Sequence, residues 1–448
     1  MSTPRPPLRV IEGGGGLLPR PLIGPALELA ALGFGIALSL TLISRLPGGA
    51  RFLGTFQALY AIGFAFLALA LLRLSRYRGL PRASLLVFAI ALAARAPLIG
   101  APPLLSDDLY RYVWEGRVLA HGGNPWRQAP SDPALAELRE PEIFPRINHP
   151  QLATIYPPLA EAGFALVASL SPTVWAMKLW VLLHDLALVA LLCAWCERRT
   201  GSAVAAIAYA WNPLVIVEYA GAGHNDPTAM VWLAAAFLLC EARPTLSALA
   251  LVAGGMVKLA PLVALPYLMR RWPWRARLTA LVLAGAGLAF FRAETRVADS
   301  GARAFWESWQ NNELFFHYLE RWTGSFAMAR ALALSAAAAV CAWLWVRVPS
   351  NVRATRDALR ALTLAGPVMH PWYLGWTLMF EPLAPSAPWL LLSLTVTLNY
   401  GALRAPAEGS AFHPTLTLRW IEYGLPLALA ASLAAIGRLK RAHRSLEA

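Results

Sequence analysis

"SLLVFAIALAARAPLIGAPPLLSDDLYRYVWEGRV", residues 84–118, decides how this chain is read. Its first half is an apolar run. Its second half crowds Asp107, Asp108, Arg111, Glu115 and Arg117 into eleven positions. Of all 448 residues, 58% are hydrophobic and only 14% charged, so such a cluster stands out. Apolar runs of this kind recur, at 22–44, 53–72, 84–100, 155–171, 173–195, 202–218, 226–241, 245–268, 276–292, 324–346, 358–380, 386–403 and 417–436. Runs of roughly 17 or more residues match the thickness of a bilayer's hydrocarbon core. Being Leu/Ala-rich, they predict helices and not barrel strands. The expected fold class is therefore an all-α polytopic membrane protein with about 11–13 transmembrane helices.

The net charge is +14, from 39 Lys+Arg against 25 Asp+Glu. The excess sits in short loops such as "RLSRYRGLPR" (73–82) and "MRRWPWRAR" (269–277), and in the tail "GRLKRAHR" (437–444). That is the positive-inside pattern of cytoplasmic loops, so the charge does not call for a nucleic-acid partner. A basic N-terminus and a basic tail on one side require an even number of crossings. At least one candidate run then fails to cross: 155–171, which is short, or 245–268, which carries Gly254, Gly255, Lys258 and Pro261. The chain divides into a flexible cytoplasmic leader (1–21), three transmembrane helices (22–100) and an extracytoplasmic loop with interfacial helices (101–158). A central bundle (159–292), a second extracytoplasmic loop (293–323), C-terminal helices (324–436) and a basic cytoplasmic tail (437–448) follow. The four cysteines fall inside predicted spans and read as small apolar residues. No Walker loop or dinucleotide fingerprint is present, which argues against a pump driven by ATP on this chain.

From 107 to 121 the pattern predicts a short helix at the membrane surface. Ser106 is placed to cap it, with two aspartates in the first turn, where the helix dipole favours negative charge. Asp108, Arg111 and Glu115 share one face, and Asp107–Arg111 and Arg111–Glu115 are i,i+4 pairs. Two readings fit: a solvated amphipathic helix, or a carboxylate cluster where a base meets a lipid-linked substrate at the water–lipid boundary.

Other polar outliers follow. "HGGNPW" (121–126) is a turn by composition, and "NHPQLATIYPPLAE" (148–161) leads back into the bilayer with Tyr156 beside a double proline. "EYAGAGHNDPT" (218–228) gathers His224, Asn225 and Asp226. Such a knot is costly in lipid and belongs at a surface or cavity; capping by Asp226, ahead of Pro227, is its structural alternative. Lys258 in "GGMVKLAP" suits a phosphate partner, or snorkels to an interface. "MHPWYLGW" (369–376) and "FWESWQNNELFFHY" (305–318) mix aromatics with His370, Asn311, Asn312 and Glu313. Sugar rings bind to such surfaces, and interfacial belts look similar. No nucleophile triad, HExxH or paired-cysteine metal site occurs.

In order, "SDDLYRYVWEGRV", "GGNPW", "YPPL", "GHND", "MVKLAPL", "WQNNELF" and "HPWYLGW" make residues 100–380 resemble a known family. These are the bacterial polyprenol-phosphate-mannose-dependent mannosyltransferases and the first mannosyltransferases of glycosylphosphatidylinositol assembly, of the GT-C class. The resemblance implies a GT-C-like bundle in the inner (cytoplasmic) membrane, with an active site facing the periplasm. It would transfer a hexose, with mannose favoured, from a polyprenyl-phosphate donor to a lipid-linked or glycan hydroxyl with inversion. It makes Asp108, in its Asp-Leu-Tyr context, the general base, with Asp107 as support. Arg111, Lys258 and His370 are the expected donor-phosphate ligands. Glu115, Tyr112, Asn124, Tyr156, His224, Asn225, Asp226, Trp309, Asn311, Asn312, Trp372 and Tyr373 are the expected pocket residues. Some members use a divalent metal through a spaced acidic pair; here the aspartates are adjacent and no metal is assigned. Three spans precede the acidic loop, where many relatives have one. A lipid-glycan flippase would use Lys258 and the polar knots as a path, but would be expected to show an internal repeat. An O-antigen-ligase-like enzyme with a diphosphate donor is the other alternative.

Overall fold

A computed structural model describes residues 23–47, 50–103, 105–404 and 414–446. The expected leader, 1–21, lies outside the described residues. Among these residues the chain is helical, and its extended pairings are two isolated bridges, Ala153 to Ser300 and Asn311 to Val368. Three helices come first: α1 (Ile23–Ile43), α2 (Leu53–Leu72) and α3 (Ala83–Ile99). The acidic stretch forms α4 (Asp108–Ala120). Then come α5 (Pro158–Leu170), α6 (Val174–Thr200), α7 (Asp226–Leu239), α8 (Pro244–Val257) and α9 (Trp274–Glu294). The second loop carries α10 (Gly301–Ser308) and α11 (Phe315–Thr323). Last are α12 (Phe326–Arg347), α13 (Asn351–Ala365), α14 (Ala387–Thr395) and α15 (Leu416–Leu446).

Six of the described helices, α1, α2, α6, α9, α12 and α15, are long and apolar enough to cross a bilayer. A seventh crossing results if the pair 203–210 and 213–221, bent by 55°, is one span. This is a polytopic membrane protein. The shorter apolar helices are shaped differently. At 13 or 14 residues, α5, α7 and α8 each reach only about 20 Å, against a hydrocarbon core of roughly 30 Å. Helix α7 starts at the buried Asp226 and α8 ends at Lys258, and such breaks are tolerated only where the freed backbone is buried in protein or faces a cavity.

Three breaks fall inside runs that the sequence presents as continuous, the first at Asn212–Pro213, where the bent pair divides the 202–218 run. The 245–268 run divides at Lys258, which is extended and ends α8. The 358–380 run is not one helix. Its first part belongs to α13, whose Arg353, Arg356, Asp357 and Arg360 make it amphipathic. Residues 366–370 are non-helical, and short helical turns resume at Pro371. Hydropathy averages over such breaks, so it cannot see them.

Buried polar groups repair the backbone where helices stop. Arg95 of α3 is fully buried and donates through Nε to Asp185 of α6 at 2.6 Å. Its Nη1 donates to the Ala91 and Ala210 carbonyls, the latter at the bent pair's break. Tyr209 donates to the second Asp185 oxygen at 2.9 Å. Lys178 donates to the carbonyls of Leu98 and Ala101, fixing the end of α3 where the acidic loop begins.

Helix α4 is not a solvated surface helix. Leu109 to Gly116 and Val118 are all buried, and its apolar side chains pack with Leu135, Ile143, Tyr156, Phe164 and Met177. Gly116 lets α4 lie directly on α5: a Cβ there would collide with the Phe164 carbonyl group. The obstacle is backbone and cannot rotate away. Gly116→Ala should therefore lower stability by about 1–3 kcal/mol. A fall in the melting temperature of detergent-solubilised protein would register it, and an unchanged value would disprove the contact.

Candidate active site

The charged face of α4 is organised by Arg111. Its Nε and Nη2 donate to Glu115 Oε1 at 2.8 and 2.5 Å. Its Nη1 donates to the Asn148 and His149 carbonyls, and Nη2 also to that of Leu152. A guanidinium has five N–H groups, and these five bonds use all of them. Arg111 thus pins the 148–152 segment across α4 and has no donor left for a donor phosphate, the role expected of it. Glu115 is equally occupied. Buried beneath Arg111, it faces Thr154, which also contacts Glu161 of α5, so it supports the floor and does not line the pocket.

What Arg111 positions is Asn148. The Asn148 amide nitrogen donates to Asp107 Oδ1 at 2.7 Å and to Asp108 Oδ1 at 2.8 Å, tying the two aspartates together. Burial and the neighbouring Asp108 carboxylate push the Asp107 carboxyl above its ordinary range. Asp107 occupies the N-cap position without a side-chain cap bond, and Ser106 instead accepts from the Asp108 N–H at 3.3 Å. Asp108 lies in the first helical turn, where the dipole favours its charge, and its side chain is 27% exposed.

That exposed face opens on a cavity of about 1150 Å³. One wall brings Asp107, Asp108, Asn148, His149 and Tyr156. Burial, and next the Arg111 guanidinium, hold the His149 imidazole below its ordinary value, so it faces the cavity uncharged. The lining also includes Lys258, His370, Trp372, Tyr373 and Trp376. From the second loop come Phe305, Trp306, Trp309 and Asn311, held in register by the two bridges, Ala153–Ser300 and Asn311–Val368. Trp309 meets His149 edge-on at 4.6 Å.

The "GHND" knot lies just behind the wall. Asp226 Oδ1 accepts from Lys258 Nζ at 2.8 Å and from the Trp376 indole at 2.6 Å. His224 stacks on one face of Trp372, with ring centroids 3.7 Å apart, and His370 stacks on Trp372 at 4.2 Å. Asn225 is fully buried.

A smaller apolar cavity of about 240 Å³ adjoins the first. It shares Ala260, Phe305, Trp306, Tyr373 and Trp376 with it and continues between Val263, Ala333, Ala337, Leu359 and Leu362.

The fold thus gathers Asp107, Asp108, Lys258, His370, Tyr156, Trp309, Asn311, Trp372 and Tyr373 around one cavity. His224, Asn225 and Asp226 stand behind its wall. Besides Glu115, three expected pocket residues go elsewhere. Asn124 donates to Glu294 at the end of α9, a link between loops. Asn312 is fully buried and donates to Glu422 of α15, while Arg419 holds Glu313. The "NNE" triplet therefore fastens the second loop to α15, and only Asn311 of its two amides faces the cavity. Tyr112 is buried under Tyr156, stacked on Phe164. Asn148, His149, Trp376 and Glu218 escaped the sequence reading, though "NHPQ", "YLGW" and "EYAGAGHND" contain them. The one available signal was Glu218, a carboxylate in an otherwise apolar stretch. Among the described residues no group of three or more His, Cys, Asp or Glu is arranged to hold a metal ion.

A family model described as the MptA_B family, alpha-(1->6)-mannopyranosyltransferase, N-terminal domain, matches residues 28–274, more than half of the chain. The matched span carries Asp107, Asp108, Asn148, His224, Asp226 and Lys258; the walls from 305–311 and 370–376 lie beyond it. Searches of curated proteins and of solved structures returned no match.

Proposed function

The chain belongs to this mannopyranosyltransferase family, and we propose that it moves mannose from a polyprenyl-phosphate donor to a glycan or lipid-linked hydroxyl, with inversion, on the extracytoplasmic side of the inner membrane. One observation carries this reading: Asp108 and Lys258 line one large cavity, and a smaller apolar cavity adjoins it through shared lining residues.

Each part matches a part of such a reaction. A sugar hydroxyl attacks poorly until a base within hydrogen-bond reach takes its proton, and the Asp108 carboxyl is held by Asn148 and partly exposed to the cavity. The leaving phosphate gains charge as the glycosidic bond breaks, and Lys258 supplies a cation on that side. An isoprenoid tail needs a dry path, which the smaller cavity provides between α12 and α13. Trp309 and His149 offer flat ring surfaces to sugar rings, while Asn311 and Asp107 offer polar groups. Arg111 acts indirectly, by holding Asn148 against both aspartates. The basic loops 73–82 and 269–277 read as cytoplasmic under the positive-inside pattern, which supports the opposite placement of the 101–158 loop.

The test is purified protein in liposomes, offered radiolabelled polyprenyl-phosphate-mannose, polyprenyl-diphosphate-mannose or a nucleotide-mannose with a mannan-type oligosaccharide acceptor. Label should pass to the acceptor from the monophosphate donor alone. Transfer from the nucleotide sugar or the diphosphate donor instead would overturn the donor assignment.

A further inference from the structure

Beside Asp108, three polar groups line up that base catalysis by Asp108 alone does not require: Ser106, which lines the cavity, and the buried His224 and Glu218. His224 Nε2 lies 3.8 Å from Asp108 Oδ2 and 3.0 Å from the Ser106 hydroxyl. Its Nδ1 faces Glu218 twice, 3.1 Å from the backbone carbonyl and 3.1 Å from Oε2. Both are acceptors, so the proton sits on Nδ1 and the Nε2 lone pair turns toward Ser106 and Asp108. The other Glu218 oxygen accepts from Tyr400 at 2.5 Å.

Glu218 owes its direction to an irregular backbone. Residues Ile216–Gly221 form a π turn following the helix break at Asn212–Pro213. Such turns concentrate at functional sites. Glu218 is only 1% exposed, and a carboxylate at that depth is costly unless paired. Its partners here are a tyrosine hydroxyl and an imidazole whose other nitrogen points at the acidic pair. Trp372 stacks on that imidazole at 3.7 Å, a face that favours a cation.

We propose that His224 and Glu218 form a positioning pair that holds, during turnover, the proton Asp108 removes from the acceptor; this rests on the mannosyl-transfer reading above. As the acceptor O–H breaks, its proton goes to Asp108 and the oxygen's electron pair forms the bond to the anomeric carbon. The bond from that carbon to the donor phosphate breaks, and its electrons leave with the phosphate. Asp108 then hands its proton to the Ser106 oxygen while the Ser106 proton moves to His224 Nε2. The resulting imidazolium is countered by Glu218. The proton returns along the same path to water once the products leave.

The charged and titratable groups around His224 are few. Asp108 and Asp107 stand at the start of α4, Glu218 in the π turn with Tyr400 behind it, and His370 across Trp372. Asp226, two residues on, is already held by Lys258.

Wild type, Asp108→Asn, His224→Gln and Glu218→Gln are compared as full-length protein in liposomes with polyprenyl-phosphate-mannose, across pH. His224→Gln should lower kcat about 10- to 100-fold with the donor KM within about twofold. Wild-type kcat should decline on the acid side, because the base must be unprotonated to act, and His224→Gln should move that decline without abolishing it. Glu218→Gln keeps the side chain's size and its bond from Tyr400, so it guards against misfolding in the first variant. It should move the decline to lower pH, because a negative charge that favours protonation nearby is gone. Two variants with wild-type kcat and an unmoved acid decline would overturn the pair. Wild type that transfers no mannose would sink the functional reading instead. Active wild type, dead Asp108→Asn and unaffected His224 and Glu218 variants would sink the pair alone.

Discussion

Asp108→Asn should abolish mannosyl transfer, lowering kcat by about 10³-fold while leaving the melting temperature within a degree or two. A positioned general base contributes typically 10²–10⁴-fold, and asparagine has no basic oxygen to offer. The fold should tolerate the change, because Asp108 makes few bonds on which packing depends. It accepts from Asn148, and its backbone N–H donates to Ser106. An amide retains an oxygen for Asn148, and the side chain is partly exposed already. Asp107→Asn is the informative companion. Asp107 shares Asn148, but burial and the Asp108 charge raise its pKa. It therefore carries a proton over more of the acidic range than an ordinary aspartate does. Its loss should reduce kcat by about tenfold, through the Asn148 clamp. Glu115→Gln should act on stability and not on kcat, since Glu115 touches Arg111 and Thr154 and no cavity. If Asp107→Asn were dead and Asp108→Asn active, the base would be Asp107. If both were active, acid–base chemistry would have to be sought elsewhere on the wall.

How much of this was visible in the sequence follows from what sequence patterns encode. Apolar runs report lipid or core exposure over a whole helix, so the membrane character and most helix positions were legible from 22–44 to 417–436. They do not report where a run is cut. Lys258 and Gly366–His370 break two runs, because their backbone turns toward a cavity that only the assembled bundle creates. Helical spacing correctly paired Arg111 with Glu115, four residues apart on one face. It could not show that three carbonyls from 148–152 complete the guanidinium, for those contacts are long-range. The same limit explains Asn312 and Asn124. Each is an amide in a polar, aromatic setting that looks like sugar recognition, and each is consumed by a partner more than a hundred residues away. Residues that carry an outlying charge, such as Asp108 and Lys258, could be singled out. Neutral connectors such as Asn148 could not.

Lys258 carries the second large effect. Lys258→Met should lower kcat/KM for the polyprenyl-phosphate donor by about 10²- to 10³-fold, the loss usual when a group that stabilises developing charge is removed. On its own that result would be ambiguous. Lys258 also neutralises Asp226, which is fully buried, and breaking a buried pair by removing one partner costs about 3–5 kcal/mol through the charge left behind. Part of the lost activity would then be lost fold. The double variant Lys258→Met/Asp226→Asn separates the two effects. It removes both charges and keeps the amide oxygen for the Trp376 indole, which donates to Asp226 in the native site. Its melting temperature should recover most of the way to wild type, while kcat/KM for the donor stays depressed. Recovery of activity along with stability would mean that Lys258 serves Asp226 and not a phosphate. Persistent loss would identify it as the cation that meets the departing charge, because the neutral amide in place of the Asp226 carboxylate would leave the wall intact and only the ammonium missing.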